Sequence, residues 1–280
     1  MRVLAMLDGT LADPEGAHIR VDDLGLLRGD GVFETVLVVD GKPRELGPHL
    51  DRLDRSAAML DLPAPDRAAW ERCVQVVVDA WQGSSEMALK LVYTRGPEFG
   101  DGTTGFALGM PIGEKVLRNR ESGVRALTLE RGFDPEIVSR APWLLLGAKT
   151  LSYAVNMAAG RWAEAHDAEE VIFTAADGSV LEGPTSNVVI AEGRTLRTTP
   201  PSSGILRGTT QGALFRAAEQ AGWVTKVEPL TLPELLAADG LFLASSVRKI
   251  TRVHTLDGQA LPDAAALHTE LNALYESEYA

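Results

Sequence analysis

The stretch VFETVLVVDGKPRELGPHLDRLDRSAAML, residues 32–60, contains the two patterns that decide the fold class. Its first part is rich in Val, Leu and Phe and ends at the turn dipeptide Asp40-Gly41, which predicts a β-strand. Its second part predicts a helix that closes near Pro63, because apolar residues recur at helical spacing. These apolar residues are Leu46, Leu50, Leu53, Ala57 and Leu60.

The same mixture of strand and helix continues along the chain. A second helix is predicted to open at Asp66 and stop at Gly83, and the segment MALKLVYT predicts a strand. From about residue 110 to 122 the sequence turns to Pro, Gly and charge without periodicity. At about 150 residues per domain, a chain of 280 residues favours two domains. We therefore predict the α/β (α+β) class, with an N-terminal α/β domain at 1–112, a linker at 113–122 and a C-terminal domain at 123–280.

Charge and composition exclude several classes of partner. The formal net charge of −12 disfavours binding to nucleic acid or to anionic membranes. No apolar run approaches the roughly 20 residues of a membrane helix, and the start MRVLAMLDGT is a poor signal peptide. The single cysteine, Cys73, allows no intrachain disulfide and suits a reducing compartment. The five histidines lack zinc-ligand spacing, so we expect no metal site. Taken together, these features predict a cytoplasmic protein.

Lys149 lies in APWLLLGAKTLSYAVNM, the most apolar surroundings of any lysine in the chain. A surface lysine would lay its stem over apolar residues and keep its ammonium in water. A neutral lysine, or one condensed with an aldehyde, suits an apolar pocket instead. The context leaves both interpretations open and makes Lys149 the first candidate for covalent catalysis.

Arg52 lies in HLDRLDRSA, on the predicted helix. At about 100° per residue it shares a flank beside the apolar stripe with His49 and Ser56, whereas Arg55 points away. Only arginine offers a planar fork suited to phosphate. Arg52 is therefore a candidate phosphate ligand, although a surface arginine at the edge of the stripe would fit the same pattern.

Polar groups suited to a charged ligand recur in the second half of the chain. Glu182 stands directly before Gly-Pro, where the strand SVLEGPTSNVVIA must break, and Asn187 closes the same loop. In GILRGTTQGALF, Thr209 and Thr210 begin a predicted helix whose free N–H groups would attract an anion. SSVRKIT adds Ser246 after a further strand. Each feature alone is also explained by an exposed loop or an ordinary helix cap.

Seven strings together resemble the fold-type IV, or class IV aminotransferase, family of pyridoxal-phosphate enzymes, in the order in which that family has them. The family includes branched-chain aminotransferases, D-amino-acid transaminases and aminodeoxychorismate lyases. The strings are RGDGVFET, HLDRL, TRG, AKTLSY, LEGPTSN, GILRGTT and SSVRKIT with HTLDG.

The resemblance implies two domains with pyridoxal 5′-phosphate in the cleft between them, normally in a homodimer, and a small-molecule amine substrate. It implies a Schiff base on Lys149, within the C-terminal domain, and contact between Glu182 and the pyridine nitrogen. Leu206 would pack against the cofactor ring, and we group Asn187 with the cofactor-binding residues. The residues implied for the phosphate cradle are Arg52, Thr209, Thr210 and Ser246.

Two departures from the family pattern limit the choice among the reactions of this family. D-amino-acid transaminases resemble this chain around VFE but carry Tyr where Phe33 stands, so Phe33 is a candidate substrate-pocket residue. They also carry an Arg-x-His pair after TRG, whereas this chain continues with PEFGDGTTG. A substrate carboxylate would lose those donors, which counts against a standard D-amino-acid transaminase.

In amino-acid sequence, the strings are most similar to those of actinobacterial-type 4-amino-4-deoxychorismate lyases. These enzymes release pyruvate and 4-aminobenzoate, a folate precursor. After the shared step, in which Lys149 acts as general base, the pocket decides between lyase and transaminase. The alternative is an amino-acid transaminase of the D-amino-acid or branched-chain type, and a lesser one is a non-catalytic relative that binds the cofactor.

Overall fold

Strands and helices alternate through residues 1–279, which the computed structural model describes, and they divide into two units. The first unit comprises Met1–Gly113 and Ala148–Tyr153. The second unit comprises Glu114–Gly147 and residues 154–279. Each unit combines a sheet with helices, so the predicted α/β (α+β) class is confirmed.

An antiparallel sheet of six strands forms the first unit. Its strands are β1 (Val3–Met6), β2 (Leu11–Ala12), β3 (Gly31–Val39), β4 (Lys42–Pro43), β5 (Glu86–Thr94) and β6 (Thr104–Met110). Their order in the sheet is β2-β1-β6-β5-β3-β4. The turn between β3 and β4 has left-handed backbone at both Asp40 (φ 48°) and Gly41 (φ 74°), the geometry for which Asp-Gly is favoured.

Among the helices that the structure describes in the first unit, the second and third follow the predicted pattern. They are α1 (Leu24–Arg28), α2 (Leu46–Met59) and α3 (Arg67–Ala80). Helix α3 begins after Asp66, whose side chain accepts a hydrogen bond from Ala69 N at 3.1 Å. Helix α2 buries Arg52 and leaves Arg55 exposed, which confirms the predicted orientation of the two arginines.

The start of β3 is covered by the segment that carries Lys149. Thr150 bridges to Val32, and Phe33 N donates to Lys149 O at 3.0 Å. Strand β4 pairs only with the far end of β3, so this segment satisfies backbone groups that would otherwise be unpaired. We predicted the lysine within a C-terminal domain beginning at residue 123, but these bonds place it in the first unit.

A mixed sheet of eight strands forms the second unit. Its strands are β7 (Val124–Glu130), β8 (Glu170–Thr174), β9 (Asn187–Glu192), β10 (Thr195–Thr198), β11 (Val224–Val227), β12 (Gly240–Ser245), β13 (Lys249–Leu256) and β14 (Gln259–Ala260). Their order is β11-β10-β9-β12-β13-β7-β8, with β14 paired to β13. Strand β9 is buried on both faces, because Val188 and Ile190 join one apolar cluster while Val189 and Ala191 join another.

The helices of the second unit include several that the sequence pattern did not indicate. They are α4 (Glu114–Ser122), α5 (Ile137–Arg140), α6 (Ala154–Ala165), α7 (Thr209–Gln220), α8 (Leu232–Ala237) and α9 (Ala265–Ser277). Helix α4 occupies the predicted linker 113–122. It buries none of its side chains, so it has no apolar stripe to detect. Arg120 on this helix donates from Nε to Val247 O at 2.9 Å. Among residues 1–279, no helix is long and apolar enough to cross a membrane.

Gly31 provides a test of the close packing at the start of β3. A Cβ at this position would lie 2.8 Å from both Tyr93 O and Leu151 Cδ1. We expect Gly31→Ala to lower the free energy of unfolding by about 1–3 kcal/mol, as overpacked sites do. The measurement is urea unfolding followed by circular dichroism.

Gly113→Ala is the matched control, because a Cβ there would meet no atom within 4 Å. We expect it to change the free energy of unfolding by no more than about 0.5 kcal/mol. Equal stability of the two variants would contradict the close packing inferred at Gly31.

Candidate active site

Lys149 lies against two aromatic rings in the first unit. Its Nζ is 4.6 Å from the centre of the Phe33 ring and 5.8 Å from the centre of the Tyr153 ring. The two rings pack edge to face with centres 5.2 Å apart. Lys149 is half-buried, and its aromatic surroundings match the apolar setting expected from the sequence. A lysine held in this way is shielded from water on the side that the rings occupy.

A second lysine shares this face of the sheet. Lys90 lies opposite Thr35 in the pairing of β3 with β5, and its Nζ is 5.4 Å from the centre of the Phe33 ring. Cross-strand register therefore places Lys90 and Lys149 around one aromatic side chain. The sequence analysis did not single out Lys90. The available signal was a cation within the otherwise apolar strand MALKLVYT.

Glu34 is fully buried beneath helix α2 and was also missed. Arg52 donates to it through two hydrogen bonds, from Nε to Oε1 at 2.7 Å and from Nη2 to Oε2 at 2.6 Å. His49 Nδ1 lies 2.7 Å from the same Oε2. The planar fork of Arg52 is thus held by a carboxylate, which sets the direction of its guanidinium.

The charges of this cluster follow from its contacts. Burial acts to raise the pKa of Glu34, but the charge and hydrogen bonds of Arg52, helped by His49, hold that pKa well below its usual range. Burial lowers the pKa of His49, and Glu34 opposes this effect only in part. Glu34 is therefore ionised and can only accept, so the neutral His49 donates to it from Nδ1.

Helix α2 also contacts the backbone of Lys149. Ser56 lies one turn beyond Arg52 on the same buried flank, and its Oγ accepts a hydrogen bond from Lys149 N at 3.0 Å. Arg52 and Lys149 are thus both held by contacts that involve a single helix.

The strings RGDG and TRG meet in a structural contact. Arg95 donates from Nε to Asp30 Oδ2 at 2.6 Å and from Nη2 to Leu60 O at 2.7 Å. Arg95 therefore satisfies carbonyl groups at the end of α2. Its guanidinium serves the fold of the first unit.

In the second unit, Glu182 and Asn187 hold the same residue. Glu182 Oε2 accepts a hydrogen bond from Leu206 N at 3.1 Å, and Asn187 Nδ2 donates to Leu206 O at 2.7 Å. Glu182 and Asn187 also form a β-bridge across the loop between them. These contacts bring together three of the residues singled out in the sequence.

The N-terminus of helix α7 follows directly after Leu206. It is capped by Gly208, which has no side chain to satisfy the first N–H groups, and a Cβ there would overlap Asn187 Oδ1. Thr209 and Thr210 are buried in the first turn. A helix end of this kind attracts an anion through its N–H groups.

Ser246 lies in the turn between β12 and β13. Ala244, two residues earlier, pairs with Asn187 in the sheet. The register therefore brings the Ser246 turn to the end of the sheet at which Glu182 and Asn187 form their loop. Within residues 1–279, no group of three or more His, Cys, Asp or Glu side chains could hold a metal ion.

Comparisons with known proteins agree on one family. The profile of the amino-transferase class IV family matches residues 31–256. A bifunctional aminodeoxychorismate lyase / D-amino acid transaminase of Mycobacterium tuberculosis is 44% identical over 269 residues, which are 93% of each chain.

Solved structures give the same result. The pyridoxal-phosphate-bound form of a hypothetical aminotransferase from Mycobacterium tuberculosis is 43% identical and has a TM-score of 0.95, with 98% of each chain covered. A fold IV transaminase from Curtobacterium pusillum is 41% identical and has a TM-score of 0.93, with 98% of this chain and 99% of that chain covered.

The buried Glu34 cluster predicts a pH-dependent stability. Glu34→Gln removes a buried charge partner of Arg52, so we expect the free energy of unfolding at pH 7 to fall by about 3–5 kcal/mol. Because the folded pKa of Glu34 is lowered, its contribution is present above the ordinary value of 4.5 and is lost as the pH falls below it. The difference between variant and wild type should therefore shrink towards low pH, as measured by urea unfolding at several pH values.

Glu71→Gln is the matched control. Glu71 pairs with Arg67 on the surface at 3.3 Å, with more than half of its side chain exposed. Its replacement should change the free energy of unfolding by less than about 1 kcal/mol. A Glu34 effect that is as small as this, or that is independent of pH, would contradict the assignment of the buried charge.

Proposed function

The chain belongs to the class IV aminotransferase family and is a pyridoxal 5′-phosphate-dependent enzyme, and we propose that it converts 4-amino-4-deoxychorismate to 4-aminobenzoate and pyruvate. The family, the enzyme class and the cofactor predicted from the sequence are confirmed. The observation that carries the proposed reaction is the 44% identity, over 93% of both chains, to a relative whose name includes aminodeoxychorismate lyase.

The side chains present fit this cofactor chemically. The first unit offers a lysine beside aromatic rings and a buried arginine, which suit an aldehyde and a phosphate. The second unit offers a half-buried carboxylate, Glu182, and the end of helix α7, whose N-cap Gly208 has no side chain. When bound, pyridoxal phosphate supplies an electron sink for charge that develops on the substrate carbon bearing the amine.

We assign the proton transfer to Lys149. Its Nζ would carry the cofactor in the resting enzyme and, once displaced by the substrate amine, would remove the proton from the carbon bearing that amine. Phe33 and Tyr153 lie beside the Nζ and shield it from water on that side. A neutral amine is the form that can accept a proton, so Lys149 would act in that form.

We assign the contact with the pyridine nitrogen to Glu182. A carboxylate beside that nitrogen favours its protonated form, which strengthens the electron sink. Leu206 N donates to Glu182 Oε2, and Asn187 holds the carbonyl of the same residue, so the carboxylate has a defined position. In this assignment Leu206 packs against the cofactor ring.

We assign the binding of the cofactor phosphate to two main kinds of hydrogen-bond donor. Arg52 contributes a charged fork oriented by Glu34, and the first turn of α7 contributes N–H groups. Hydroxyl donors supplement them. These hydroxyls belong to Thr209, Thr210 and Ser246.

The charges around Phe33 suit a substrate that carries a carboxylate, as 4-amino-4-deoxychorismate does. The segment after TRG, PEFGDG, carries no cationic side chain. Lys90, by contrast, lies on the same face of the sheet as Lys149 and Phe33. We infer that Lys90 attracts a substrate carboxylate, a role for which an ammonium serves as a point charge.

D-Amino-acid transamination is the second candidate, because the name of the Mycobacterium tuberculosis relative includes it. Lys149 would perform the same initial proton removal in either reaction, and the fate of the proton would differ. We further propose that the enzyme acts as a homodimer in the cytoplasm and supplies 4-aminobenzoate for folate synthesis.

A direct assay tests the proposed reaction. Purified protein loaded with pyridoxal phosphate should release equal amounts of 4-aminobenzoate and pyruvate from 4-amino-4-deoxychorismate with no keto acid present. Lys149→Ala should lower the rate by about 10²–10⁴-fold or more, the usual contribution of a positioned base. Turnover of a D-amino acid with a keto acid, without release of 4-aminobenzoate, would reject the lyase in favour of the transaminase.

The two arginines of α2 test the phosphate assignment. Arg52→Lys keeps the charge but loses the planar fork, so we expect the dissociation constant for pyridoxal phosphate to rise by about tenfold or more. Arg55→Lys should leave that constant unchanged, because Arg55 is exposed. The measurement is a fluorescence titration of the apoenzyme, and equal effects of the two variants would refute the assignment.

A further inference from the structure

Asn156 is a residue of the AKTLSYAVNM string to which no role has been given above. It lies in the first turn of α6, and both ends of its half-buried amide are engaged. Nδ2 donates to Pro184 O at 2.7 Å, and Oδ1 accepts from Nη1 and Nη2 of Arg131 at 3.2 Å each. The amide therefore bridges an arginine and a backbone carbonyl.

Arg131 determines which way this amide faces. An arginine can only donate, so Oδ1 must point towards Arg131 and Nδ2 is left for the carbonyl. Arg131 itself lies over the Phe173 ring, with its guanidinium carbon 4.4 Å from the ring centre. Phe173 N in turn donates to Glu182 O at 2.8 Å. These contacts therefore connect the carbonyl of Pro184, through Asn156, Arg131 and Phe173, to the carbonyl of Glu182.

The carbonyl that Asn156 binds lies at the tip of the Glu182 loop. Pro184 is two residues after Glu182, and the loop closes through Gly183 N donating to Ser186 O at 2.8 Å. A β-bridge joins Glu182 to Asn187 at the base. The base is held by the sheet, whereas the tip is held by side chains, so a change at Asn156 acts on the tip.

We propose that Asn156 is a positioning residue that holds the loop 182–187, and through it the Glu182 carboxylate, in the orientation needed at the pyridine nitrogen. This inference rests on the proposed role of Glu182. Asn156 touches neither reacting atoms nor cofactor in this assignment, and it acts only through the carbonyl of Pro184.

The test uses an isosteric change and a matched control. Asn156→Asp keeps an acceptor for Arg131 and removes the donor to Pro184 O, and Asn156→Ala removes both without adding charge. Asn272→Asp is the control, because Asn272 in α9 makes the same kind of bond, from Nδ2 to Ile250 O at 2.9 Å, without contact to the loop.

The readouts are the visible absorption band of the lysine-bound cofactor across pH, the dissociation constant of pyridoxal phosphate, and kcat and KM. Both Asn156 variants should retain the cofactor and shift the band in the direction that Glu182→Gln shifts it. Their kcat should fall about tenfold at unchanged KM, the effect of losing one hydrogen bond. Asn272→Asp should change none of these.

A double variant separates this inference from the proposed function. If Asn156 acts through Glu182, adding Asn156→Ala to Glu182→Gln should cause no further loss of kcat. Additive losses, or an unshifted band in the Asn156 variants while Glu182→Gln shifts it, would overturn the role of Asn156 alone. An unshifted band in Glu182→Gln would instead overturn the role of Glu182, and the inference with it.

Discussion

The carboxylate of Glu34 has no exposed surface, and the hydrogen bonds that Arg52 and His49 make to it allow its burial. These bonds fix helix α2 against strand β3. The same helix presents Ser56 to the backbone of Lys149. The direction of the arginine fork and the position of the lysine backbone therefore both depend on one buried ionised group. Loss of either Glu34 or Arg52 would leave the other as a buried charge without its main partner, so the pair strongly favours this one arrangement of α2 on β3.

In the second unit the corresponding constraint is a backbone position. Leu206 offers its N–H to Glu182 and its carbonyl to Asn187, so one residue fixes both ends of the Glu182 loop. Gly208, the N-cap of helix α7, follows two residues later, and a side chain there would overlap Asn187. The carboxylate and the anion-attracting helix end are consequently held by one short stretch of chain. Loss of the Leu206 contacts would disturb both together.

The choice between elimination and transamination depends on groups that contact the substrate. In the proposed assignment Lys149 removes the first proton in either reaction, so its presence does not select the outcome. Phe33 offers an apolar ring without a hydroxyl, and Lys90 offers a cation on the same face. In the proposed function, this combination suits a substrate with a ring and a carboxylate. The shared first step would let a single lysine serve both activities in the name of the Mycobacterium tuberculosis relative.

Local periodicity or local composition predicted strands β3 and β5, helices α2, α3 and α7, the buried flank of α2 and the candidate Lys149. It did not predict helix α4, which is mostly polar and buries no side chain. Only the tertiary structure revealed that Glu34 is paired, because Arg52 lies 18 residues away and the pairing depends on helix packing. Likewise the unit to which Lys149 belongs follows from its bond to Ser56, 93 residues earlier, and from the uncovered edge of β3. The sequence by itself determined the family and the candidate residues. Long-range hydrogen bonds decided which of these residues are held together, because buried polar groups depend on partners that no local pattern specifies.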